Sequence, residues 1–278
     1  MAGIAATLPG GVLGAAVFDY LSGFFWSREG DRWFHAASTI KIAVLAAVFD
    51  AIDADRLALD SRVHVRNRFL SVADGQPFRV PATRDADAEV HDFLGKTMRV
   101  DELARHMIVT SSNLATNVLL DVLGIDAARR ALASRGLDAS TGIDLQRAVE
   151  DDRAFEAGCN NRVTPAGLIA LLRVIRDSSS FTERSSQAMT NILFEQRFSG
   201  AIVPGLPDPV RAVARVAHKT GDISTASHDA GLVYLPGRPP YAIALLAEGG
   251  ADAADRTAAL TAASRAIYDA VAAAGGSR

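Results

Sequence analysis

The chain has 278 residues, of which 49 % are apolar and 22 % charged, and its formal net charge at pH 7 is −3. This is the composition of a soluble globular protein that can bury a sizeable core. The slightly acidic balance gives no electrostatic argument for nucleic acid or an anionic membrane as a partner. We also expect a monomer.

The single cysteine, Cys159, excludes an internal disulfide, and six scattered histidines show no metal-ligand spacing, so neither a metal nor a cofactor is expected. The first twenty residues are apolar but carry no basic residue before Arg28, and Pro9-Gly10-Gly11 interrupts them. We interpret them as a short opening helix and a strand. Without a signal peptide or a membrane-spanning stretch, the sequence predicts a cytoplasmic protein, or a secreted one if a leader has been removed.

The N-terminal third predicts an antiparallel meander followed by a helix. Three strands are expected over residues 11–23, 24–30 and 31–36. Apolar residues then recur at helical spacing from Ser38 to Asp53. Residues 54–97 are polar and irregular.

The rest of the chain predicts helices first and strands last. Helices are expected over Val100–Val109, Asn113–Leu123, Asp126–Arg135, Pro165–Asp177 and Glu183–Gln196, with a long polar loop over Leu137–Val163. Strands are expected over residues 213–221, 228–236 and 241–249, followed by an alanine-rich helix over Asp252–Ala274.

Strands at both ends around a helical middle predict an α/β (α+β) fold. One antiparallel sheet with flanking helices would be built from both chain termini, residues 1–37 and 200–278. Residues 38–199 would form an inserted all-helical domain.

The lysines are the first chemical signal, because only three stand among 29 basic residues. Lysine, unlike arginine, can lose its proton near neutral pH. Lys41 follows Ser38 by three residues, so the amine and the hydroxyl share one face of the predicted helix. A buried lysine beside a second cation can act as the base that activates a serine. By itself, Ser-x-x-Lys arises by chance about one time in five in such a chain. A second lysine, Lys96, stands in no motif and is interpreted as a solvated loop residue.

The third lysine begins the triplet Lys219-Thr220-Gly221, at the end of a strand with an alternating pattern. A triplet of this kind arises by chance on the order of one time in a hundred. An edge strand with this sequence places a cation, a hydroxyl and an open glycine backbone along one wall of a cleft. That wall suits a substrate carboxylate.

A third motif, "TSSNLATN", lies between two predicted helices. Ser111 can relay a proton and Asn113 can both donate and accept a hydrogen bond, while Asn117 lies one turn further on. A serine-rich loop at a helix start is by itself usually only a cap.

The order Ser-x-x-Lys, Ser-x-Asn, Lys-Thr-Gly resembles the signature of penicillin-recognising serine enzymes, and the chain resembles class A β-lactamases over nearly its whole length. The resemblance extends over "HAASTIK", "SSNLATNVLL", "NRVTPAGLIALL" and "HKTGDISTASHDAGLVYLP". It implies a β-lactamase/transpeptidase-like fold and a β-lactam-like substrate or ligand. These motifs are much more specific for the superfamily than for an activity.

Carried over residue by residue, the resemblance implies a set of roles. Ser38 would be the acylated nucleophile, with Lys41 as its base, and Ser111 would pass a proton to the lactam nitrogen. Asn113 would hold both the substrate amide and Lys41, while Lys219 and Thr220, beside Gly221, would bind the substrate carboxylate. The backbone N–H groups of Ser38 and Asp222 would form the oxyanion hole, and Asn117 would support the site from outside.

The long loop departs from the family pattern. Class A enzymes have a glutamate there that helps to hold the deacylating water, with an asparagine four residues later. Here the nearest candidate is Glu150, about two residues closer to the Thr-Pro landmark than the pattern requires, and Ala154 stands four residues after it. The alternative is that Glu150 and Glu156 are exposed loop carboxylates.

Two more positions depart from the family. Ser112 stands where the enzymes usually have aspartate, which is expected to loosen the loop that directs Ser111. The family's arginine on the strand after the triplet is missing, and Arg215 or Arg238 would have to replace it.

Three functions therefore stay open. The first is a β-lactamase-like serine hydrolase with impaired deacylation. The second is a non-hydrolytic, penicillin-recognising homologue with a sensor or regulatory role in β-lactamase expression. The third is a cytoplasmic Ser-x-x-Lys esterase or amidase.

Overall fold

The main sheet takes its strands from both ends of the chain. The computed structural model describes Gly3 and residues 8–177, 179–250 and 252–275, and the predicted opening helix lies outside the described residues. The sheet has five antiparallel strands in the order β3-β4-β5-β1-β2. They are β1 Gly11–Asp19, β2 Phe25–Arg28, β3 Arg215–Ile223, β4 Ala226–Tyr234 and β5 Tyr241–Gly249. The N-terminal β1 pairs along its whole length with the C-terminal β5, from Gly11 opposite Gly249 to Asp19 opposite Tyr241.

Each helix that the periodicity predicts beyond residue 37 is present, with ends that differ by two residues or fewer, which is the usual uncertainty of helix ends. The helices are α1 Ile40–Asp53, α2 Val100–Val109, α3 Asn113–Leu123, α4 Ile125–Ala133, α5 Pro165–Arg176, α6 Glu183–Phe194 and α7 Ala253–Gly275. Among the described residues no helix is both long enough and apolar enough to span a bilayer.

Short elements occupy the segments between them. Short α-helices cover Asp152–Glu156, Ile202–Gly205 and Asp208–Arg211, and 3₁₀ turns cover Ala37–Thr39, Ala82–Arg84, Glu89–Phe93 and Ala139–Thr141. Short strands cover Phe34–His35, Arg62–His64, Phe69–Leu70, Pro77–Phe78, Thr97–Arg99, Ile143–Asp144 and Arg162–Val163.

Two hydrophobic layers cover the sheet, one on each face, because side chains of a strand point alternately to the two faces. On β5, Tyr241, Ile243 and Leu245 pack in the cluster that contains α7. The alternate residues Ala242 and Ala244 pack in the larger cluster with the helices of the chain's middle. The prediction of an α/β fold with a sheet from both termini is confirmed, while the domain boundaries at residues 37/38 and 199/200 stay a prediction.

The third predicted strand is present at Phe34–His35, but its predicted place in the meander is wrong. Phe34–His35 pairs with Arg162–Val163, which also pairs with Ile143–Asp144, so it belongs to a separate three-stranded sheet. The reason is a close contact: a Cβ at Gly14 would lie 2.8 Å from the ring of Phe34. The Phe34 ring therefore lies across β1 on one face of the main sheet. The chain leaves the edge of the sheet at this point and enters the helical layer.

Helix α1 lies at the centre of this layer. Eleven of its fourteen residues are buried, including Lys41. A helix that is apolar on nearly all sides is typical of a protein interior. The sequence of α1 therefore buries a lysine amine one residue after the helix begins.

Candidate active site

A cleft of about 580 Å³ lies where β3 meets the start of α1, the α2–α3 turn and the long loop. It is lined by residues from all the segments that the sequence singled out. They include Ser38, Ser111, Asn113, Glu150, Thr220 and Asp222. The structure thus brings these predicted residues together, although up to 184 positions separate them in the chain.

Ser38 lies in the 3₁₀ turn that precedes α1, and not in the α-helix itself. Ala37 before it has a φ of +44°, a conformation that is strained for alanine. The turn is held by a 2.5 Å hydrogen bond from Thr39 Oγ1 to the carbonyl oxygen of Ala36. Strained non-glycine residues persist only where the surrounding structure holds them, and they cluster at functional sites.

Gly221 allows β3 to run directly against this turn. A Cβ at residue 221 would lie 3.0 Å from the backbone nitrogens of both Ser38 and Thr39. Glycine as the third residue of the Lys-Thr-Gly triplet therefore lets the strand approach the turn that carries Ser38 without displacing it.

We expect Gly221→Ala to push β3 away from Ser38. Overpacking against a rigid backbone typically costs about 1–3 kcal/mol, so the melting temperature should fall by several degrees. Gly3→Ala is the matched control, because a Cβ there meets nothing within 4 Å. Equal melting temperatures for the two variants would contradict the contact.

Lys41 connects the first motif to the second. Its buried Nζ donates to the carbonyl oxygen of Ser111 at 2.6 Å and to Asn113 Oδ1 at 2.7 Å, and it lies 3.2 Å from Ser111 Oγ. Ser111 has a φ of +61°, which is again strained for a non-glycine residue. An amine with three acceptors around it is held in a fixed position, with the Ser111 hydroxyl within reach of a proton transfer.

Burial lowers the pKa of both site lysines. For Lys41 the largest cause is desolvation and the next is the charge of Lys219, whereas Asp85 and Glu150 act in the opposite direction. Burial lowers the pKa of Lys219 to about 7, although Asp229 and Asp222 raise it. The Lys219 amine donates to the carbonyl oxygen of Thr220 at 2.8 Å. Both lysines therefore have a larger neutral fraction at pH 7 than a solvated lysine.

These pKa shifts predict how stability depends on pH. The unfolded chain, in which a lysine has a pKa near 10.5, binds more protons than the folded chain between about pH 7 and pH 10. The free energy of unfolding should therefore rise with pH, by about 1.4 kcal/mol per pH unit for each such lysine. Denaturant melts from pH 7.5 to 9.5 should show a smaller rise for Lys219→Met than for the wild type. Lys96→Met, at an exposed position, should keep the full rise.

Glu150 is not an exposed loop carboxylate: its side chain is 15 % exposed and lies in the cleft. Its Oε1 accepts a hydrogen bond from Asn113 Nδ2 at 3.0 Å, and its Oε2 lies 2.7 Å from Arg84 Nε. Burial raises the pKa of Glu150, and the positive charge of Arg84 acts against this. Asn117 fixes the loop just before it, because its side chain bonds both the carbonyl oxygen (2.8 Å) and the N–H (2.9 Å) of Val149.

The position four residues after Glu150 carries no amide for a water site of the family type. Ala154, four residues after Glu150, is buried and offers only a methyl group. Glu156 is exposed, as the sequence allowed. Of the two glutamates, Glu150 is the one that enters the cleft. Its φ of +62° shows that the backbone is strained at this residue.

Neither of the two substitute arginines lies in the cleft. The guanidinium of Arg215 stacks on the ring of Phe194 at 3.9 Å, and Arg238 donates to the carbonyl oxygen of Val271 at 3.1 Å and to Asp19. The arginines that line the cleft are Arg84 and Arg147, from segments interpreted as irregular. No sequence pattern could identify them, because neither stands in a motif.

One group of described side chains has the spacing of metal ligands, Asp87, Glu89 and His106. Asp87 is already engaged there: its Oδ2 lies 2.6 Å from His106 Nδ1 and accepts a hydrogen bond from Thr110 Oγ1. None of the three lines the cleft. Two of the three side chains, Asp87 and His106, are therefore explained as members of a hydrogen-bond network.

Comparison with known proteins identifies the family. The model of the "Beta-lactamase enzyme family" matches residues 4–271. A curated β-lactamase of Bacteroides uniformis is 26 % identical over 263 residues, which cover 88 % of this chain and 84 % of that protein. The crystal structure of a β-lactamase from Sphaerobacter thermophilus has a TM-score of 0.81 at 26 % identity, covering 98 % of this chain and 96 % of that one. A PBP-A variant, solved as an acyl-enzyme complex with penicillin G, has a TM-score of 0.78 at 25 % identity, covering 96 % and 93 %. With a family model matched over nearly its whole length and the predicted motifs gathered in one cleft, the chain belongs to the beta-lactamase enzyme family.

Proposed function

We propose that the protein is a serine hydrolase that β-lactams acylate at Ser38 and that hydrolyses the acyl-enzyme slowly. The observation that carries this proposal is the position of the Lys41 amine, hydrogen-bonded to Ser111 and Asn113 beside the turn that holds Ser38. Family membership supports a hydrolase of this class, and the local geometry supports the division of roles.

Acylation begins when neutral Lys41 removes the proton of Ser38 Oγ. The oxygen attacks the lactam carbonyl, and the negative charge that forms is stabilised by the backbone N–H groups of Ser38 and Asp222. Such donors are typically worth about 3 kcal/mol of barrier each. Ser111 Oγ, 3.2 Å from Lys41 Nζ, then passes the proton to the lactam nitrogen as its bond to carbon breaks.

Binding uses the wall that β3 forms. Thr220 lines the cleft and buried Lys219 lies behind it, so together they receive the substrate carboxylate. Asn113 holds the substrate amide. Its Nδ2 already donates to Glu150 and to the carbonyl oxygen of Arg84, so the substrate must replace one of these acceptors.

Deacylation depends on Glu150 in this proposal. A carboxylate whose pKa is raised by burial is a better base for water than a solvated one. It takes a proton from water as the water oxygen adds to the acyl carbonyl, and it returns that proton to Ser38 Oγ as the bond between Oγ and the acyl carbon breaks. Ala154 supplies no second hydrogen bond to that water, which supports slow rather than fast deacylation.

Intact-protein mass spectrometry with penicillin G tests the proposal. The wild type should show an adduct that forms and then decays as hydrolysed penicillin accumulates. Glu150→Gln should form the same adduct at a similar rate and lose it about a hundredfold more slowly, at the lower limit of general acid–base contributions. Glu156→Gln, in the same loop but outside the cleft, should behave as the wild type.

The non-hydrolytic penicillin-recognising homologue is the second candidate, and the absence of a side-chain amide at Ala154 favours it. It requires a wild-type adduct as long-lived as that of Glu150→Gln. A protein that penicillin G does not label, but that a fluorophosphonate labels at Ser38, would instead be an esterase or amidase.

A further inference from the structure

A carboxylate from outside the three motifs lies at the N-terminal end of α3. Asp85 Oδ1 accepts a hydrogen bond from the N–H of Asn113 at 2.8 Å, and its Oδ2 accepts one from the N–H of Leu114 at 2.9 Å. Ser112 Oγ donates to Oδ2 at 3.2 Å, and His91 Nε2 lies 3.1 Å from the same oxygen. The side chain of Asp85 is 0 % exposed. Hydrogen bonds to a charged group in such surroundings are among the stronger ones in proteins.

Arg84, the residue before Asp85, holds the side chain of Asn113. The carbonyl oxygen of Arg84 accepts from Asn113 Nδ2 at 3.2 Å, and the guanidinium of Arg84 pairs with Glu150. Asn113 Oδ1 in turn accepts from Lys41 Nζ. Two consecutive residues therefore hold both the main chain and the side chain of Asn113, with Lys41 and Glu150 on either side.

We propose that Asp85 is the positioning residue of the second motif. From a separate segment it supplies the carboxylate that the motif's middle residue, Ser112, does not, and so holds Ser111 and Asn113 in the orientation that Lys41 requires. The effect of Asp85 on catalysis rests on the proposed function. The hydrogen bonds from the N–H groups of Asn113 and Leu114 to Asp85 do not depend on that function.

Asp85 also acts on Lys41 through its charge. It raises the pKa of Lys41, as Glu150 does from the long loop, whereas Lys219 on β3 lowers it. A neutral side chain at residue 85 would remove one of the two negative charges. The acid limb of acylation, which reports the loss of the proton from Lys41, should then shift to lower pH. A purely structural defect would lower the rate at every pH and leave the limb in place.

The first test measures acylation of Asp85→Asn by penicillin G across pH. We expect the acylation rate to fall about tenfold to a hundredfold, as small misplacements of catalytic groups do, and the acid limb to shift to lower pH. Asp92→Asn is the matched control, because Asp92 is an exposed aspartate on the same segment. Wild-type acylation with an unshifted limb in Asp85→Asn would overturn the proposal.

The second test moves the carboxylate into the motif. In the wild type, Ser112→Asp should lower both the melting temperature and the acylation rate, because two carboxylates would meet at one helix end. In the Asp85→Asn background the same change should raise both, because it returns a negative charge to the positive end of α3, where Ser112 already accepts the capping hydrogen bond from the N–H of Ala115 at 3.1 Å. The same sign of effect in both backgrounds would refute the positioning role.

The melting temperatures separate the two proposals. A wild type that penicillin G does not acylate would contradict the proposed function. The reversal of sign in the thermal cycle would still establish that Asp85 is the carboxylate of the second motif, and its absence would still disprove that.

Discussion

Ser38→Ala is expected to carry no adduct after incubation with penicillin G under conditions that label the wild type completely. The change removes the hydroxyl oxygen that forms the acyl bond, and no neighbouring group can replace it. Hydrolysis should fall by more than about ten thousandfold, as for other enzymes that lose a covalent nucleophile. Peptide mapping of the labelled wild type should place the adduct at residue 38.

Ser224→Ala is the matched control for this experiment. Ser224 is an exposed serine that lines the same cleft, so its hydroxyl is at least as accessible to the reagent. We expect this variant to be labelled as fast as the wild type. Adduct on Ser38→Ala, or its loss from Ser224→Ala, would show that the nucleophile has been assigned to the wrong residue.

Lys41→Arg and Lys41→Met should both lose acylation, by about a thousandfold to ten thousandfold, at the upper end of what one general base contributes. Arginine keeps the positive charge but cannot be deprotonated near neutral pH, so it cannot remove the proton of Ser38. Methionine keeps the volume of the stem and removes the amine. Stopped-flow measurement of acylation at saturating penicillin G compares both with the wild type.

Lys96→Met and Lys96→Arg are the controls, since Lys96 is exposed and lies outside the cleft. They should acylate at the wild-type rate. If Lys41→Arg kept more than a tenth of that rate, the amine would act by its charge and not as a base. The lowered pKa of Lys41 would then have no part in the reaction.

Local sequence patterns were sufficient for the long helices and for the strands of the main sheet. The continuous apolar run of β5, buried from Tyr241 to Ala247, and the helical spacing of α5 report burial directly, and Pro165 begins α5 with Thr164 as its cap. The meander prediction was wrong at Phe34 because the determining contact is with Gly14, twenty positions away. A pattern within one strand cannot show which face of the sheet a neighbouring segment crosses.

The candidate site was predictable to a different extent for each residue. Ser38, Lys41, Ser111, Asn113 and Lys219 stand in motifs whose spacing has a chemical reason. Asp85 and Arg84 do not, since they contact the site through pairings at separations of about 28 and 66 residues. Such pairings exist only after the chain has folded.

The sequence by itself determined the family, the order of the motifs and the long helices, because these depend on residue types and on spacing along the chain. Only the tertiary structure decided that Glu150 enters the cleft, that Asp85 supports Asn113, and that Ala37, Ser111 and Glu150 adopt positive φ angles. The physical reason is that each of these features depends on groups distant in sequence. Lys41 holds Ser111, Arg84 pairs with Glu150, and β3 packs against the turn that contains Ala37, in addition to that turn's own hydrogen bond. No local pattern reports such contacts.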